Sequence, residues 1–85
     1  MLVLTYPQYV VYLKDMEKTT IHGFGVYYEK DAYAGITHLR DDLDFAEARV
    51  FFDQARSRGS ANFEDDEDRQ FTLSYRGGVY TLLRR

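Results

Sequence analysis

The side chains that offer this sequence the most chemistry are acidic, and they gather in two segments. Eight acids make up these segments: Asp41, Asp42, Asp44, Glu64, Asp65, Asp66, Glu67 and Asp68. Carboxylates bind hard cations such as Ca²⁺, and they also pair with basic residues of other proteins. The run over residues 64–68 lacks the ligand order and the central glycine of an EF-hand loop, so it predicts no calcium site. We interpret both segments as a surface for a basic protein partner, with solubility alone as the alternative explanation.

The two histidines, His22 and His38, are the other candidates for chemistry. Both fall in predicted strands that follow one another along the chain, so their imidazoles could meet. With Asp41 or Glu29 as a further ligand, they could bind a metal or exchange a proton. Nothing in their spacing requires such a site, and the chain contains no serine elbow, P-loop or HExxH motif. We therefore predict no catalytic residue, no metal and no cofactor, and we expect the protein not to be an enzyme.

The net charge of −3 hides an uneven distribution along the chain. Residues 29–68 hold twelve acids and five bases, whereas residues 69–85 hold four arginines and no acid. An acidic centre repels phosphate, so we expect no direct binding to nucleic acid. The same acids, with aromatic anchors between them, suit a protein that mimics the phosphates of nucleic acid. Arg69, Arg84 and Arg85 could form a small basic patch at the opposite end from the acids.

Length and composition restrict the class of protein. An 85-residue chain is expected to form one domain, residues 1–85, with a modest core. The chain contains no cysteine, which excludes disulfides and thiolate chemistry and fits a reducing cytoplasm. No segment approaches the ~20 apolar residues of a membrane-spanning helix, so we expect no membrane partner.

The segment from Asp44 to Gly59 carries the clearest structural signal. Asp44 followed by Glu47 fits a capping box, and Gly59 fits the left-handed position after a helix. Five apolar side chains share one face of the intervening helix: Phe45, Ala48, Phe51, Phe52 and Ala55. The sequence therefore predicts a helix over residues 44–58 that packs on an apolar surface.

The closing segment, residues 69–85, predicts a β-hairpin around Gly77-Gly78. The predicted register pairs Arg76 with Val79 and Tyr75 with Tyr80. It places five large side chains on one face: Phe71, Leu73, Tyr75, Tyr80 and Leu82. A slip of one residue would scatter them between the faces, so the hydrophobic pattern fixes the register. We expect this face to contact the helix.

The rest of the chain predicts further strands and turns. We predict a strand over residues 8–14, followed by a polar turn at 14–18, with a helix over residues 6–18 as the alternative. Residues 19–28 and 33–39 predict one strand each, and residues 60–68 predict an exposed loop. The fold class is then α+β: a two-layer domain with an antiparallel sheet of four to five strands and one main helix on one face. The element order is βββαββ, or αββαββ if the chain begins with a helix.

The tyrosines predict a second contact surface. One helix of about 22 Å cannot cover both faces of such a sheet, and several tyrosines exceed what a small core can hold. Tyr27, Tyr28 and Tyr33 are therefore expected at a partner-binding face or at a homodimer interface.

Three hypotheses about function follow from these features. The first is a non-enzymatic acidic module that binds a protein, and the second is a structural domain that forms a homodimer through an aromatic sheet face. The third is a minimal enzyme or metal protein that uses His22 and His38. In length, acidity, aromatic content and lack of cysteine, the chain resembles the small inhibitors encoded by phages and mobile elements, such as anti-CRISPR proteins. This resemblance in composition, which no motif carries, implies an inhibitor of a larger host protein.

Overall fold

The chain forms two β-sheets and a helical connection. The computed structural model describes the backbone of residues 3–6 and 9–12 and the whole of residues 16–85. The first two strands, β1 (Val3–Tyr6) and β2 (Tyr9–Tyr12), form an antiparallel pair. Five further strands form a second sheet: β3 (Glu17–Ile21), β4 (Phe24–Tyr28), β5 (Ser60–Glu64), β6 (Gln70–Arg76) and β7 (Val79–Arg84).

The five-stranded sheet has the order β3-β4-β7-β6-β5. Strands β4 and β7 are parallel, and the other neighbouring pairs are antiparallel. The sheet is therefore mixed, and the predicted purely antiparallel arrangement is wrong. The parallel pair arises because the whole segment from α1 to β6 separates these two strands in sequence, which allows β7 to return in the same direction as β4.

The connection from β4 to β5 is helical. A 3₁₀ turn (Lys30–Ala32) leads into the short helix α1 (Tyr33–Thr37), then a π-helical turn (His38–Asp42), and then the long helix α2 (Phe45–Arg58). The observed element order is therefore ββββααβββ, which replaces the predicted βββαββ. The α+β class and the packing of helices on one face of a sheet are confirmed.

Helix α2 begins and ends where the sequence predicts. Asp44 Oδ1 accepts a hydrogen bond from the Glu47 backbone N–H at 2.8 Å, and Glu47 Oε1 accepts one from the Asp44 N–H at 3.0 Å. Gly59 follows the last turn in the left-handed conformation, with φ 92°. Of the apolar stripe, Ala48, Phe52 and Ala55 are buried, while Phe45 at its start is 48% exposed.

The closing hairpin is confirmed in its register. Arg76 pairs with Val79 and Tyr75 with Tyr80 around the Gly77-Gly78 turn. The large side chains of this hairpin face the helices and form the main core with the α2 stripe. Phe52 illustrates the contact, because its ring lies edge-on to Tyr80 with centroids 5.0 Å apart.

Residues 33–39 form helical turns, and the predicted strand there is wrong. Ala32, Ile36 and Leu39 are all fully buried. Their spacing of four and three residues matches one face of a helix rather than the alternation of a strand. Gly35 belongs to the same helical packing, because a Cβ added to it would lie 2.8 Å from the Phe71 ring.

Residues 19–28 form a hairpin rather than one strand. His22 and Gly23 both have positive φ, 48° and 90°, which is the requirement of a type I′ turn. Ile21 consequently pairs with Phe24 on the core face. In a single strand over residues 19–28 these two residues would lie on opposite faces, because side chains alternate along a strand.

Residues 60–68 are also more ordered than predicted. Residues 60–64 form β5, in which Ala61 and Phe63 alternate inward and are buried. At the start of the chain, Tyr9–Tyr12 forms a strand as predicted, whereas residues 7, 8 and 13–15 lie outside the described part. The predicted polar turn cannot extend to residue 18, because β3 begins at Glu17.

The sheet face away from the helices is closed at its centre. Ser74, Thr81 and Leu83 on this face are only 4%, 0% and 6% exposed, and Met16 packs against Leu83. The expectation of an open aromatic sheet face is therefore wrong for these positions. Within the described residues, no helix is both long enough and apolar enough to cross a bilayer.

Candidate functional site

Three side chains with ligand atoms, from two separate segments, meet at one place. His38 and Asp42 come from the π-helical turn, and Asp66 comes from the loop between β5 and β6. The nearest imidazole nitrogen and carboxylate oxygens all lie within 4.8 Å of one another. His38 Nδ1 lies 3.1 Å from Asp42 Oδ2. We call these three residues the His38 cluster.

The imidazole of His38 is held in place by stacking on a cluster of phenylalanine rings. His38 is 7% exposed, and its ring stacks on Phe63 with centroids 6.0 Å apart and an interplanar angle of 13°. Phe63 is itself fixed between Phe51 and Phe71, with ring centroids 5.3 and 5.4 Å away. A rigid aromatic base therefore presents the edge of His38 to two carboxylates at the surface.

The two carboxylates of the His38 cluster have no cationic partner in the described part of the chain other than the His38 imidazole. Asp66 is exposed, and the side chain of Asp42 is 49% exposed. Among the described residues, neither has an arginine or lysine partner. Two carboxylates at this distance repel each other, and an external cation would relieve that repulsion. The cluster is therefore suited to binding positive charge.

Asp65, directly before Asp66, has a structural role instead. It is only 7% exposed. Its carboxylate accepts hydrogen bonds from the backbone N–H groups of Glu67 and Arg69 and from Arg69 Nε, the last at 2.6 Å. Burial acts to raise the pKa of Asp65, but these hydrogen bonds outweigh it and leave the pKa below its usual value. This residue therefore folds the loop that carries Asp66.

The other predicted acids of the β5–β6 loop also hold local structure. Glu67 lies 3.4 Å from Arg69, and Glu64 accepts a hydrogen bond from Gln70. Asp68 occupies a left-handed position with φ 63°, which aspartate tolerates better than most residues. All three are exposed, so they add negative charge around Asp66 without belonging to the cluster.

Among the acids before α2, two make local structural contacts and one belongs to the His38 cluster. Asp44 caps the helix. Asp41 accepts two hydrogen bonds from Arg40, at 3.0 Å each, and these lower the pKa of its carboxyl. Only Asp42 of this segment enters the His38 cluster.

The two histidines do not form a joint site. His22 lies in the β3–β4 turn, where its Nε2 is 3.0 Å from the backbone carbonyls of Leu39 and Leu43. It therefore donates to the end of the π-helical turn, and this contact ties the β3–β4 hairpin to the helical layer. His38 joins the carboxylates instead. The predicted metal or acid–base site that combines His22 with His38 is therefore not formed, and His22 has a structural role.

The three singled-out tyrosines occupy different environments. Tyr28 is a core residue, only 7% exposed, and its hydroxyl donates to Glu17 at 2.9 Å. Tyr33 is 46% exposed, and the Arg40 guanidinium lies over its ring at 6.0 Å. Tyr27 is half-buried on the other face of the sheet. These residues do not form one aromatic surface.

The predicted basic patch at the opposite end from the acids is also wrong. Arg69 belongs to the acidic loop through Asp65. The backbone N–H of Arg85 donates to the Gln70 carbonyl at 2.8 Å, which places the end of the chain beside the start of β6 and the same loop.

The convergence of Asp66 on His38 was not predicted from the sequence. These residues belong to segments that the sequence describes as a strand and a loop, and only the helical form of residues 38–42 brings them together. Comparison with protein-family models, with curated proteins and with solved structures finds no match to this chain.

Proposed function

We propose that this protein is a non-enzymatic binding domain that engages the basic surface of a larger protein through the His38 cluster. The observation that supports this proposal is the approach of the Asp42 and Asp66 carboxylates to each other and to the His38 ring, within 4.8 Å. A guanidinium or ammonium group between the carboxylates would remove their mutual repulsion and gain two charge-assisted hydrogen bonds. The surrounding acids, Asp41 and Glu67, would steer a basic partner toward this position.

The specific form that we propose is an inhibitor. A surface with several fixed carboxylates competes with phosphate for the same arginines and lysines, so the partner would be a protein that binds nucleic acid. The hydrogen bonds that fix Asp65 and the stacking of His38 on Phe63 supply the rigidity that such mimicry needs. The homodimer hypothesis has less support, because Tyr28 and the centre of the second sheet face are buried.

Capture of a partner from a lysate of the source organism tests this function. The bait proteins are the wild type, the double variant Asp42→Asn with Asp66→Asn, and a control double variant, Asp31→Asn with Asp53→Asn. The control removes the same charge outside the cluster. We expect the wild type and the control to retain a basic, nucleic-acid-binding protein that elutes with salt, and the cluster variant to lose it. Equal retention by all three baits would refute the proposal.

A divalent cation is the second candidate ligand for the same cluster. Its donor set of one imidazole and two carboxylates suits zinc or manganese. The 3.1 Å between His38 Nδ1 and Asp42 Oδ2 lies between the ~3.0 Å and the ~3.4 Å expected for neighbouring ligands about 2.1 Å from an octahedral and a tetrahedral metal, respectively. Titration with Zn²⁺, followed by the NMR signals of the His38 ring, would show saturable binding that Asp66→Asn weakens. Unchanged His38 signals would dismiss this candidate.

A further inference from the structure

A groove opens at the end of the sheet where the two hairpin turns lie. Strands β4 and β7 pair only from Val26 and Tyr80 onward. At the preceding residues, β4 is hydrogen-bonded only to β3, and β7 only to β6. The segments around Gly25 and Gly78 are therefore not paired with each other. The space between them is a groove of about 380 Å³. This volume lies within the range of small-molecule sites.

Aromatic rings form the walls of the groove. Phe24, Tyr75 and Tyr80 line it, and the centroid of the Tyr80 ring lies 4.7 Å from that of Tyr75 and 5.8 Å from that of Phe24. All three side chains are partly buried and line the groove, so part of each ring is accessible from it. A planar ring could stack or pack edge-on against these faces.

Two cations line the same groove: Lys18 from the sheet face that carries Tyr27, and Arg56 from helix α2 on the opposite face. Lys18 Nζ lies 5.3 Å from the centroid of the Tyr27 ring, and the Arg56 guanidinium lies 5.7 Å from the centroid of the Tyr75 ring. Across residues 16–85, neither cation is paired with a carboxylate. The absence of a side chain at Gly25 leaves room for the Lys18 stem, whose Cε would lie 3.4 Å from an added Cβ.

We propose that this groove binds a small organic anion that carries a planar ring. The anionic group, a phosphate or a carboxylate, would lie between Lys18 and Arg56, and the ring would lie against Tyr75 and Tyr80. The Tyr80 hydroxyl is protonated at neutral pH, as an ordinary tyrosine is, and burial raises its pKa further. It could therefore donate a hydrogen bond to the anion. This site lies at the end of β6 opposite the acidic loop and does not depend on the function proposed for the His38 cluster.

NMR titration of the intact protein tests this proposal. Gly23, Gly25 and Gly78 line the groove, and their backbone amides are the reporters. Gly35, which lies in α1 and packs against Phe71, is the internal control. The anionic probes are adenosine monophosphate and 4-hydroxybenzoate. Adenosine and phenol supply the ring alone, and inorganic phosphate and acetate supply the anion alone.

We expect at least one anionic probe to bind more tightly than its ring-only compound and its anion-only compound. Its binding should shift the backbone amide signals of Gly23, Gly25 and Gly78 but not that of Gly35. Arg56→Gln and Lys18→Gln should each weaken this binding about tenfold, the effect of losing one charge-assisted hydrogen bond. Arg49→Gln, in the same helix as Arg56, should leave it unchanged. Binding no tighter than that of the separate halves, or binding insensitive to both groove substitutions, would overturn the proposal.

Discussion

The carboxylates of Asp42 and Asp66 approach within 4.8 Å of each other at the surface, although their segments are joined only through α2 and β5. Nothing in the core requires this approach, since both side chains are exposed. Asp65, the neighbour of Asp66, is by contrast buried and fully engaged in hydrogen bonds. Adjacent acids in one run therefore differ: Asp65 holds the loop together, whereas Asp66 is exposed and is the residue that we propose binds a partner.

This difference predicts opposite effects of two neighbouring substitutions on stability. Asp65→Asn weakens the hydrogen bonds that close the β5–β6 loop and should lower the free energy of unfolding by about 2 kcal/mol. Asp66→Asn removes a repulsive charge and should leave that free energy unchanged or raise it by about 0.5 kcal/mol. Urea denaturation of the two variants and the wild type measures both values. A loss of stability in Asp66→Asn as large as that in Asp65→Asn would assign Asp66 a structural role as well.

The pH dependence of stability should also identify Asp65. Its hydrogen bonds hold the folded-state pKa below the unfolded value of 3.8. The carboxylate therefore contributes stability that is fully present above about pH 4 and is lost as the pH falls through the folded-state pKa. The difference in unfolding free energy between the wild type and Asp65→Asn should stay constant from about pH 7 to 5 and shrink below about pH 4. A difference that already shrinks between pH 7 and 5 would contradict this assignment.

The sequence predicts the parts of the fold that depend on local signals. The helix α2 is bounded by capping residues that lie within it or next to it: Asp44 and Glu47 cap its start through their side chains, and Gly59 caps its end through its backbone. The closing hairpin is fixed by two glycines and by a strict alternation of large residues. Both segments were predicted correctly because their information lies within about fifteen residues of chain.

The failures occur where a local pattern has two solutions. Residues 33–39 contain strand-forming residues, and the helical spacing of Ala32, Ile36 and Leu39 becomes decisive only once the sheet beneath them is known. The turn at His22 was missed because non-glycine residues seldom take a positive φ, and His-Gly is not among the usual sequence signals of a type I′ turn. The candidate site was missed for the same reason. The helical form of residues 38–42, which was predicted in part as a strand, brings His38 and Asp42 to Asp66.

A buried hydroxyl offers a stabilising substitution. Thr81 is fully buried, and its Oγ1 has no hydrogen-bond partner among the described residues. Thr81→Val keeps the shape of the side chain and removes the buried polar atom, so it should raise the free energy of unfolding by about 1 kcal/mol. Thr72 is the matched control, because its hydroxyl donates to Asn62 Oδ1 at 2.8 Å, and Thr72→Val should give no such gain. Thermal denaturation compares them, and a less stable Thr81→Val variant would mean that the hydroxyl is satisfied.

Two glycines should respond differently to the same substitution. A Cβ at Gly35 would lie 2.8 Å from Phe71 and 3.0 Å from Leu82, so Gly35→Ala should cost about 2 kcal/mol despite the better helix propensity of alanine. A Cβ at Gly25 would make only an ordinary contact with the flexible Lys18 stem, so Gly25→Ala should be neutral or slightly stabilising. Denaturant unfolding measures both. A tolerated Gly35→Ala would show that α1 does not pack tightly on the sheet.

Isothermal titration calorimetry of a short arginine peptide at low salt distinguishes binding at the His38 cluster from general attraction to an acidic protein. We propose that a cationic side chain binds between Asp42 and Asp66, whose carboxylates lie within 4.8 Å of each other and of the His38 imidazole. The wild type and the control variant Asp31→Asn with Asp53→Asn should bind the peptide with similar Kd, and Asp42→Asn with Asp66→Asn should bind it at least about tenfold more weakly. If both double variants lose affinity equally, binding follows net charge alone, and the His38 cluster is not the binding site.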